Sequence, residues 1–334
     1  MPHDAVIMQT LRAGGLLPPD ADAVLEPLTG GVSSEVYWLE TPNGPVCVKR
    51  ALGKLRVAAD WRAPVERSHF EVAWLRTARP LVGKGVPEVL LEDRDASLFV
   101  MTFFDPATHA VWKSELAAGR IDVAFAGRLG AMLGRIHAGC AGSSEIAEQF
   151  PTTALFEDLR LDPYLRETAR RHPDLAGRLT ALADRTAASR ISLVHGDVSP
   201  KNILQGPEGP VLLDAECAWY GDPAFDVAFC STHLLLKPVW KPAHTAAYLE
   251  SLATFHAAYR PAVGWEPQAA LETRAAELTA ALLLARVDGK SPVEYLQDEA
   301  DRAFVRGAAR RLIAETPASL GELAQAWARA LEER

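Results

Sequence analysis

The chain has 334 residues, 49% of them hydrophobic and 23% charged, which is the composition of a globular protein large enough for two lobes. Its formal net charge of −8 argues against nucleic-acid binding, and no apolar run is long enough to span a membrane. The N-terminus lacks the charged-then-apolar order of a signal peptide, and the four cysteines have no CxxC spacing. We therefore expect a cytoplasmic protein with reduced thiols.

The N-terminal third of the chain alternates short β-type runs with two helical segments. Apolar spacing predicts helices over residues 4–13 and 64–79. Turn residues such as Gly, Pro and Asn separate five β-type runs, at residues 23–29, 35–40, 45–50, 88–92 and 96–102. This part of the chain therefore predicts a small lobe built mainly from β-strands.

The turn GGVSS, from Gly30 to Ser34, joins the first two β-type runs. Glycine has no Cβ, so the backbone N–H groups of such a turn can approach nucleotide phosphates closely. Gly31, Ser33 and Ser34 are therefore candidate nucleotide ligands. The same residues also make a good hairpin loop, so their assignment depends on the motifs further along the chain.

Lys49 lies near the end of the third β-type run, VCVKR, and the helical segment after it contains two acids that could pair with it, Glu66 and Glu71. The alternative is an exposed lysine at a strand end, with the acids as solvated helix charges.

Beyond residue 106 the apolar spacing is mostly helical, and the sequence shows no internal repeat. Two helix starts are predicted by a capping residue followed by proline, at Ser291-Pro292 and Thr316-Pro317. The predicted helices cover residues 123–137, 155–171, 175–190, 227–236, 243–256, 267–287, 292–314 and 317–331.

Two short apolar runs in the middle of this helical region each end in a carboxylate. Residues 191–194 stop at His195-Gly196-Asp197, and residues 211–213 stop at Asp214-Ala215-Glu216, while Asn202 lies five positions after Asp197. Phosphoryl transfer needs a base that orients a hydroxyl and hard oxygen ligands for magnesium. This spacing of carboxylates and amide suits that chemistry.

The pattern HGDxxxxN, followed by DxE and GDPxFD, resembles the catalytic and metal-binding loops of the aminoglycoside phosphotransferase and choline kinase-like superfamily. The DxE and the sequence AWYGDPAFD after it are most similar to methylthioribose kinases. The resemblance implies an α+β, bilobal protein-kinase-like fold. Its N-terminal lobe, with a small antiparallel sheet, would cover residues 1–104 and its mostly helical C-terminal lobe residues 105–334.

The resemblance also implies roles for the motif residues, with ATP and Mg²⁺ as cofactors and ATP between the lobes. Asp197 would align the acceptor hydroxyl and take its proton late. The metal ligands would be Asn202, Asp214 and Glu216. Lys49, paired with Glu71 in the family's E-x-x-x-L pattern, would offset charge on the α- and β-phosphates. Adenine would contact the backbone near Met101 and Phe103.

Further residues are expected to support the site or to contact the acceptor. His195 and Asp226 would hold loop backbone by hydrogen bonds. Arg310 and Arg311 resemble the arginine pair that contacts the sugar in methylthioribose kinases. Arg286, in the polar turn RVDGK, and Asp222 are further acceptor candidates. For the arginine pair the alternative is one arginine in an ion pair and the other in solvent.

The predicted function is that of an ATP-dependent kinase acting on a small-molecule hydroxyl, with methylthioribose as the acceptor that the motifs favour. Aminoglycosides, choline or ethanolamine, and homoserine are alternative acceptors, and a catalytically silent nucleotide-binding module is a further alternative. Transfer of AMP and a homodimer are left open. HGDVSPKN has no arginine beside Asp197, which favours a constitutively assembled small-molecule kinase.

Overall fold

The structure is a computed structural model that describes residues 3–20, 22–28, 33–54 and 63–334. The chain divides into two compact units, Met1–Thr108 and His109–Arg334. The first unit contains an antiparallel sheet, and the second is mostly helical with short strand pairs. The predicted α+β class is therefore confirmed.

The first unit contains a sheet in which the described residues form five strands, in the order β1-β2-β3-β5-β4, all neighbours antiparallel. The strands are β1 (Glu26–Pro27), β2 (Ser34–Thr41), β3 (Gly44–Ala51), β4 (Val89–Asp93) and β5 (Leu98–Thr102). Strand β3 is central, so Lys49 lies between Val36 of β2 and Phe99 of β5. A residue at this position is enclosed by strands on both sides.

Two helices accompany this sheet, α1 (His3–Ala13) and α2 (Arg67–Val82), and a 3₁₀ turn follows at Gly83–Gly85. Ile7 and Leu11 of α1 are fully buried against Val48 and Val100 of the sheet. The apolar residues of α1 recur at three- and four-residue steps, so one face of the helix covers the sheet.

The second unit contains five short strands among its described residues, in two small sheets ordered β10-β7 and β6-β8-β9. They are β6 (Ala110–Val111), β7 (Ser192–Val194), β8 (Ile203–Gly206), β9 (Gly209–Leu212) and β10 (Trp219–Gly221). Strands β7 and β9 match the two predicted apolar runs. Sequence analysis missed β6, β8 and β10, which are too short for a periodic signal.

The helices of the second unit enclose these strands. They are α3 (Trp112–Ala117), α4 (Val123–Cys140), α5 (Ser144–Gln149), α6 (Thr153–Phe156), α7 (Glu167–Arg171), α8 (Ala176–Ala188), α9 (Ala224–Trp240), α10 (Thr245–Tyr259), α11 (Gln268–Asp288), α12 (Glu299–Glu315) and α13 (Leu320–Glu332). Two 3₁₀ turns, at Pro242–His244 and Arg260–Ala262, follow α9 and α10, and a third, at Pro200–Asn202, precedes β8.

Two predicted helix starts are wrong. Residues 289–298 fold back on the end of α11, where Val293 N–H donates to the Arg286 carbonyl at 2.8 Å. Helix α12 therefore begins seven residues after Pro292, with Asp298 as its N-cap. Helix α13 begins after Ser319, whose hydroxyl accepts from Glu322 N–H, and not at Pro317. In both cases a residue further along the chain satisfies the first free N–H groups.

Helices α4 and α10 approach closely because α4 presents glycines to its neighbour. A Cβ at Gly130 would lie 2.1 Å from the Phe255 carbonyl oxygen, and one at Gly134 would lie 2.8 Å from the Ala262 Cβ. Any larger side chain at Gly130 would push the helices apart, since the obstructing atom is backbone.

The segment between α6 and α7 is a π-helix, Glu157–Arg166, where a regular helix was predicted. Pro163 lies inside it and has no N–H to donate. The helix therefore widens, and π-helical turns of this kind often occur at functional sites.

None of the helices among the described residues has both the length and the apolarity that crossing a membrane requires. The four cysteines are buried free thiols. Burial raises the pKa of Cys47 to about 12 and that of Cys140 to about 11, so both remain protonated at neutral pH.

Candidate active site

The loop after β7 is held from behind by Asp226, a residue of α9 that is fully buried. Its carboxylate accepts hydrogen bonds from the backbone N–H of His195 at 2.7 Å and of Gly196 at 2.8 Å. His137 of α4 lies 3.2 Å from the same carboxylate through Nε2. Asp226 thus fixes the loop backbone, which is the structural role predicted for it.

His195 connects the ends of the two strands that carry the motif carboxylates. Its Nδ1 accepts from Asp197 N–H at 3.2 Å, and its Nε2 lies 3.1 Å from the Leu213 carbonyl. A carbonyl can only accept, so Nε2 carries the proton. Burial lowers the pKa of His195 although Asp226 and Asp197 work in the opposite direction. His195 is therefore a neutral spacer between the two loops.

Gly196 adopts a conformation that other residues rarely take, with φ at +79°. A Cβ at this position would lie 2.7 Å from the Cys217 carbonyl oxygen. Glycine is therefore required between His195 and Asp197, both for the backbone angle and for the close approach of the second loop.

Asp197 is 6% exposed and is flanked by two cations. Its Oδ2 lies 3.0 Å from Arg160 Nη2 and 2.9 Å from Lys201 Nζ. Burial on its own would raise the pKa of Asp197, but Lys201 and Arg160 outweigh it and hold that pKa well below the ordinary value. The side chain is therefore a carboxylate at neutral pH.

Arg160 is a residue of the site that sequence analysis missed. It lies on the π-helix, is 7% exposed, and also donates to the Gly196 carbonyl. The rings of Tyr164 and Phe229 lie 6.0 and 5.8 Å from its guanidinium. No arginine neighbours Asp197 in the sequence, but the tertiary structure supplies one. The only local signal was an arginine between two leucines ahead of the catalytic strand.

Three oxygens of the predicted site converge on one cation, the ammonium of Lys201. Its Nζ lies 2.9 Å from Asp197 Oδ2, 3.2 Å from Asn202 Oδ1 and 3.8 Å from Asp214 Oδ2. Asn202 Nδ2 donates to the Asp197 carbonyl at 3.1 Å, which leaves Oδ1 facing the ammonium. Carboxylate and amide oxygens are the ligands that Mg²⁺ prefers, so these residues fit a magnesium ion that also binds phosphate oxygens.

The described residues contain no group of three or more His, Cys, Asp or Glu that could hold a metal by itself. A metal here would therefore depend on Asn202 and on ligand oxygens from outside the chain. Asp214 has a left-handed backbone, with φ at +67°, a strain that tends to occur at functional sites. Glu216 is half-buried two positions later, and its charge helps to raise the pKa of Arg160.

In the first unit Lys49 and Glu71 form a buried pair. Lys49 Nζ lies 2.8 Å from Glu71 Oε1 and 2.7 Å from Oε2, and the residues are 5% and 2% exposed. Glu66 lies at the N-terminus of α2 and is exposed. The alternative of an exposed strand-end lysine is therefore wrong, and Glu71 is the acid that pairs with it.

Of the predicted turn ligands, Ser33 and Ser34 are buried, and Gly31 lies outside the described residues. Sequence analysis missed Arg67, which is 1% exposed and donates to the carbonyls of Ser33 and Leu52. It thereby ties the end of the turn to α2.

The two residues predicted to contact adenine lie at the end of β5. Met101 is buried in that strand, and Phe103 is half-buried directly after it. The ring of Phe103 lies edge-on to Trp38, with the centroids 6.5 Å apart. Their predicted contacts with adenine stay predictions.

The arginine pair of α12 has the arrangement of the ion-pair alternative. Arg310 Nη2 lies 2.6 Å from Asp174 Oδ2, and its Nη1 donates to His172 Nδ1 at 2.8 Å. Arg311 is exposed. Among the described residues no contact links either arginine with Asp197, so the acceptor role of this pair stays a prediction without structural support.

Of the other two acceptor candidates, Asp222 is already paired within the chain, whereas Arg286 lies close to the residues around Asp197. Asp222 is 1% exposed and accepts two hydrogen bonds from Arg274, at 2.8 and 3.1 Å, besides capping α9. These contacts account for the burial of Asp222 as a structural residue, without a role in binding the substrate. Arg286 stacks on Tyr164, 5.6 Å from the ring centroid, and Arg160 lies over the same ring. Of the four acceptor candidates, Arg286 is the one placed beside the Asp197 cluster.

The chain is similar to several solved structures. An amicoumacin kinase in complex with AMP-PNP, Ca²⁺ and Ami matches with a TM-score of 0.58 at 16% identity, over 97% of this chain and 99% of that chain. A choline/ethanolamine kinase family protein from Mesorhizobium loti matches with a TM-score of 0.53 at 17% identity, over the whole of both chains. These similarities confirm the protein-kinase-like fold.

Curated sequences with similarity to the chain include methylthioribose kinases. Methylthioribose kinase 2 of Oryza sativa subsp. japonica is 25% identical over 257 residues, which cover 67% of this chain and 58% of that protein. The methylthioribose kinase of Pectobacterium atrosepticum is 25% identical over 263 residues, covering 70% and 65%. The chain thus spans less than two thirds of the length of these relatives.

A family model matches a stretch of the chain that includes residues of both units. Residues 24–264 match the model of the phosphotransferase enzyme family, and this range contains Lys49, Glu71 and the whole stretch from His195 to Asp226. Because the match covers well over half of the chain, the protein belongs to the phosphotransferase enzyme family.

Proposed function

We propose that the protein is an ATP-dependent kinase that transfers the γ-phosphate to a hydroxyl group of a small molecule. The observation that carries this proposal is the fixed, ionised Asp197 beside two further oxygen ligands, Asn202 Oδ1 and Asp214 Oδ2, that face the same cation. The family match and the methylthioribose kinases among the relatives support it.

Phosphoryl transfer requires mostly positioning and charge stabilisation, and several residues of this chain can provide both. Lys49, fixed by its pair with Glu71, would offset negative charge on the α- and β-phosphates of ATP. Asn202 and Asp214, with Glu216 close by, would hold Mg²⁺. When bound, that ion neutralises charge on the phosphate oxygens.

The depressed pKa of Asp197 decides how this carboxylate acts. It is too weak a base to remove a proton from a free hydroxyl, so its first task is to orient the acceptor. The hydroxyl oxygen bonds to the γ-phosphorus while the bond to the β-phosphate oxygen breaks and ADP leaves. The hydroxyl proton becomes acidic as the new bond forms, and it then passes to Asp197.

Replacing Asp197 by asparagine tests the proposal. The neutral amide of Asp197→Asn could neither carry the charge nor take the proton, so we expect acceptor-dependent release of ADP from Mg-ATP to fall by about 10²–10⁴-fold. Nucleotide binding, measured by calorimetry, should survive because Lys49 and Glu71 are untouched. Asp174→Asn, a change of an exposed carboxylate, is the matched control.

Turnover by Asp197→Asn at the rate of the control would contradict the role of Asp197. Release of pyrophosphate in place of ADP would show AMP transfer and would contradict the proposed reaction itself.

A further inference from the structure

Two buried cations of the second unit have no carboxylate partner among the residues that the structure describes. Lys237 of α9 is 1% exposed and Arg286 of α11 is 8% exposed. Arg286 donates to Tyr164 Oη and to the Ser291 carbonyl, but its Nε is buried without a hydrogen-bond partner. Both residues therefore carry a charge that the fold leaves uncompensated.

The surroundings of Lys237 are aromatic. Its ammonium lies 3.9 Å from the ring centroid of Tyr295 and 4.8 Å from that of Trp240. The acid that acts on it most, Glu294, forms its ion pair with Lys113 instead. Burial lowers the pKa of Lys237 to about 8, although Glu294 works in the opposite direction. Tyr295 Oη is a further buried polar atom without a partner.

His233 lies one helical turn before Lys237 on α9 and is 8% exposed. The described residues offer its ring nitrogens no hydrogen bond. Burial holds the pKa of His233 well below its ordinary value, and the nearby charges of Arg286 and Lys237 lower it further. The imidazole is therefore neutral, with one N–H available as a donor.

This group of three residues, His233, Lys237 and Arg286, begins next to the reactive carboxylate. The ring of His233 packs edge-on against Phe229, with centroids 5.5 Å apart, and Arg160 lies over that same Phe229. Arg160 in turn contacts Asp197. The charge of Asp197 also acts on His233, so a ligand held by the three residues would lie near Asp197.

An unpaired charge in a protein interior is costly, because it loses its hydration without gaining an opposite charge. Two such cations and a free N–H donor on adjacent elements are what an anionic ligand needs, since it supplies the missing charge and accepts the hydrogen bonds. Cationic ligands would meet repulsion at the same place.

We propose that His233, Lys237 and Arg286 bind an anionic group, a carboxylate or a phosphate, of the molecule whose hydroxyl is phosphorylated at Asp197. This inference rests on the proposed kinase function and narrows its acceptor to hydroxy acids and phosphorylated alcohols. It turns the expectation away from methylthioribose, which is neutral, and from choline and aminoglycosides, which carry positive charge.

Binding in the absence of ATP tests the site independently of catalysis. Calorimetry would use ribose 5-phosphate as the phosphate probe and glycerate as the carboxylate probe, with ribose and choline as neutral and cationic references. We expect one or both anions to bind, ribose and choline not to bind, and Lys237→Met to weaken anion binding at least about tenfold. Lys241→Met is the matched control, because Lys241 lies over the same Trp240 ring at 4.7 Å.

The two anionic probes distinguish a phosphate from a carboxylate preference. Arg286→Met is a second variant, which keeps the test valid if Lys237→Met fails to fold. The inference is overturned if neither anion binds, if choline or ribose binds as well as the anions, or if Lys237→Met and Arg286→Met bind them like the parent protein.

ADP release with the same compounds separates this inference from the proposed function. We expect the parent protein to turn over an anionic acceptor. In Lys237→Met the KM for that acceptor should rise at least about tenfold, while the KM for ATP should not change. Asp197-dependent turnover with neutral or cationic acceptors alone would leave the kinase standing and overturn the anion site. If the parent protein binds the anions and Lys237→Met does not, but no acceptor gives Asp197-dependent turnover, the anion site stands and the proposed kinase function is contradicted. A raised KM for ATP alone would assign the cations to the nucleotide and overturn the inference.

Discussion

Two groups of basic residues in the second unit surround positions that are only two residues apart on α11, Asp288 and Arg286, and the groups differ in how their charges are compensated. Around Asp288, Arg306 donates at 2.6 and 2.8 Å and His172 Nε2 lies at 3.0 Å. Arg310 continues this network to Asp174. Around Arg286 and Lys237 no described carboxylate is within ion-pair distance, although both residues are more deeply buried than Arg310.

The difference shows why residue type alone misassigns a binding site. The sequence drew attention to Arg310 and Arg311, because two adjacent arginines resemble a sugar-binding pair. In the structure Arg310 already forms an ion pair with Asp174, and Arg311 is exposed. The cations that still lack a partner are the ones with capacity for a ligand.

The largest expected effect comes from breaking a compensated pair, the one between Arg160 and Asp197. Arg160→Met removes a buried guanidinium and leaves Asp197 with one cation and the Gly196 carbonyl without its donor. We expect the free energy of unfolding to fall by about 3 kcal/mol and turnover to fall with it. Urea denaturation measures the first, with Arg311→Met as the exposed control. A loss no larger than that of Arg311→Met would show that Arg160 is not needed to compensate Asp197.

An intermediate effect is expected from Lys237, where the charge is not compensated. Its pKa is about 8 in the folded protein and near 10.5 when unfolded, so the unfolded state binds more protons between these values. Stability should therefore rise with pH from about 8 to 10.5, by up to about 3 kcal/mol. Charged or titratable groups facing Lys237 are Tyr295, His233, Glu294, Arg286, Lys113 and Lys241.

Subtracting the pH profile of Lys237→Met isolates the contribution of that lysine, because the other groups titrate in both proteins. The variant should be at least as stable as the parent near pH 7, where the parent has the buried charge. A clear loss of stability at pH 7 with no difference in pH slope would mean that the aromatic rings of Trp240 and Tyr295 fully compensate the ammonium.

The smallest expected effect comes from Arg310, on the compensated side of the comparison. The resemblance to methylthioribose kinases predicts that Arg310→Ala raises KM for the acceptor. The pair with the exposed Asp174 predicts instead that acceptor KM and kcat stay within about twofold and that the melting temperature changes little. A tenfold rise in acceptor KM would restore Arg310 as a substrate ligand.

The sequence by itself determined the order and spacing of the motif residues. Asp197, Asn202 and Asp214 follow short strands within one stretch of chain, so local backbone geometry is enough to bring them together. The same holds for Lys49 on β3, whereas its partner acid, Glu71, was selected over Glu66 only by the resemblance to the family's E-x-x-x-L pattern. The glycine at position 196 also has a local cause, because the backbone angle of the loop there favours glycine.

Only the tertiary structure decided which charged side chains compensate one another. Arg160 reaches Asp197 from a π-helix, and Asp174 reaches Arg310 from a distant part of the chain, over separations for which the sequence has no periodic signal. Burial has the same origin, because a lysine such as Lys237 has the same local pattern whether its ammonium is in water or beneath Trp240 and Tyr295. Compensation and burial are properties of packing between distant segments, and in this protein they distinguish structural arginines from candidate ligands of the acceptor.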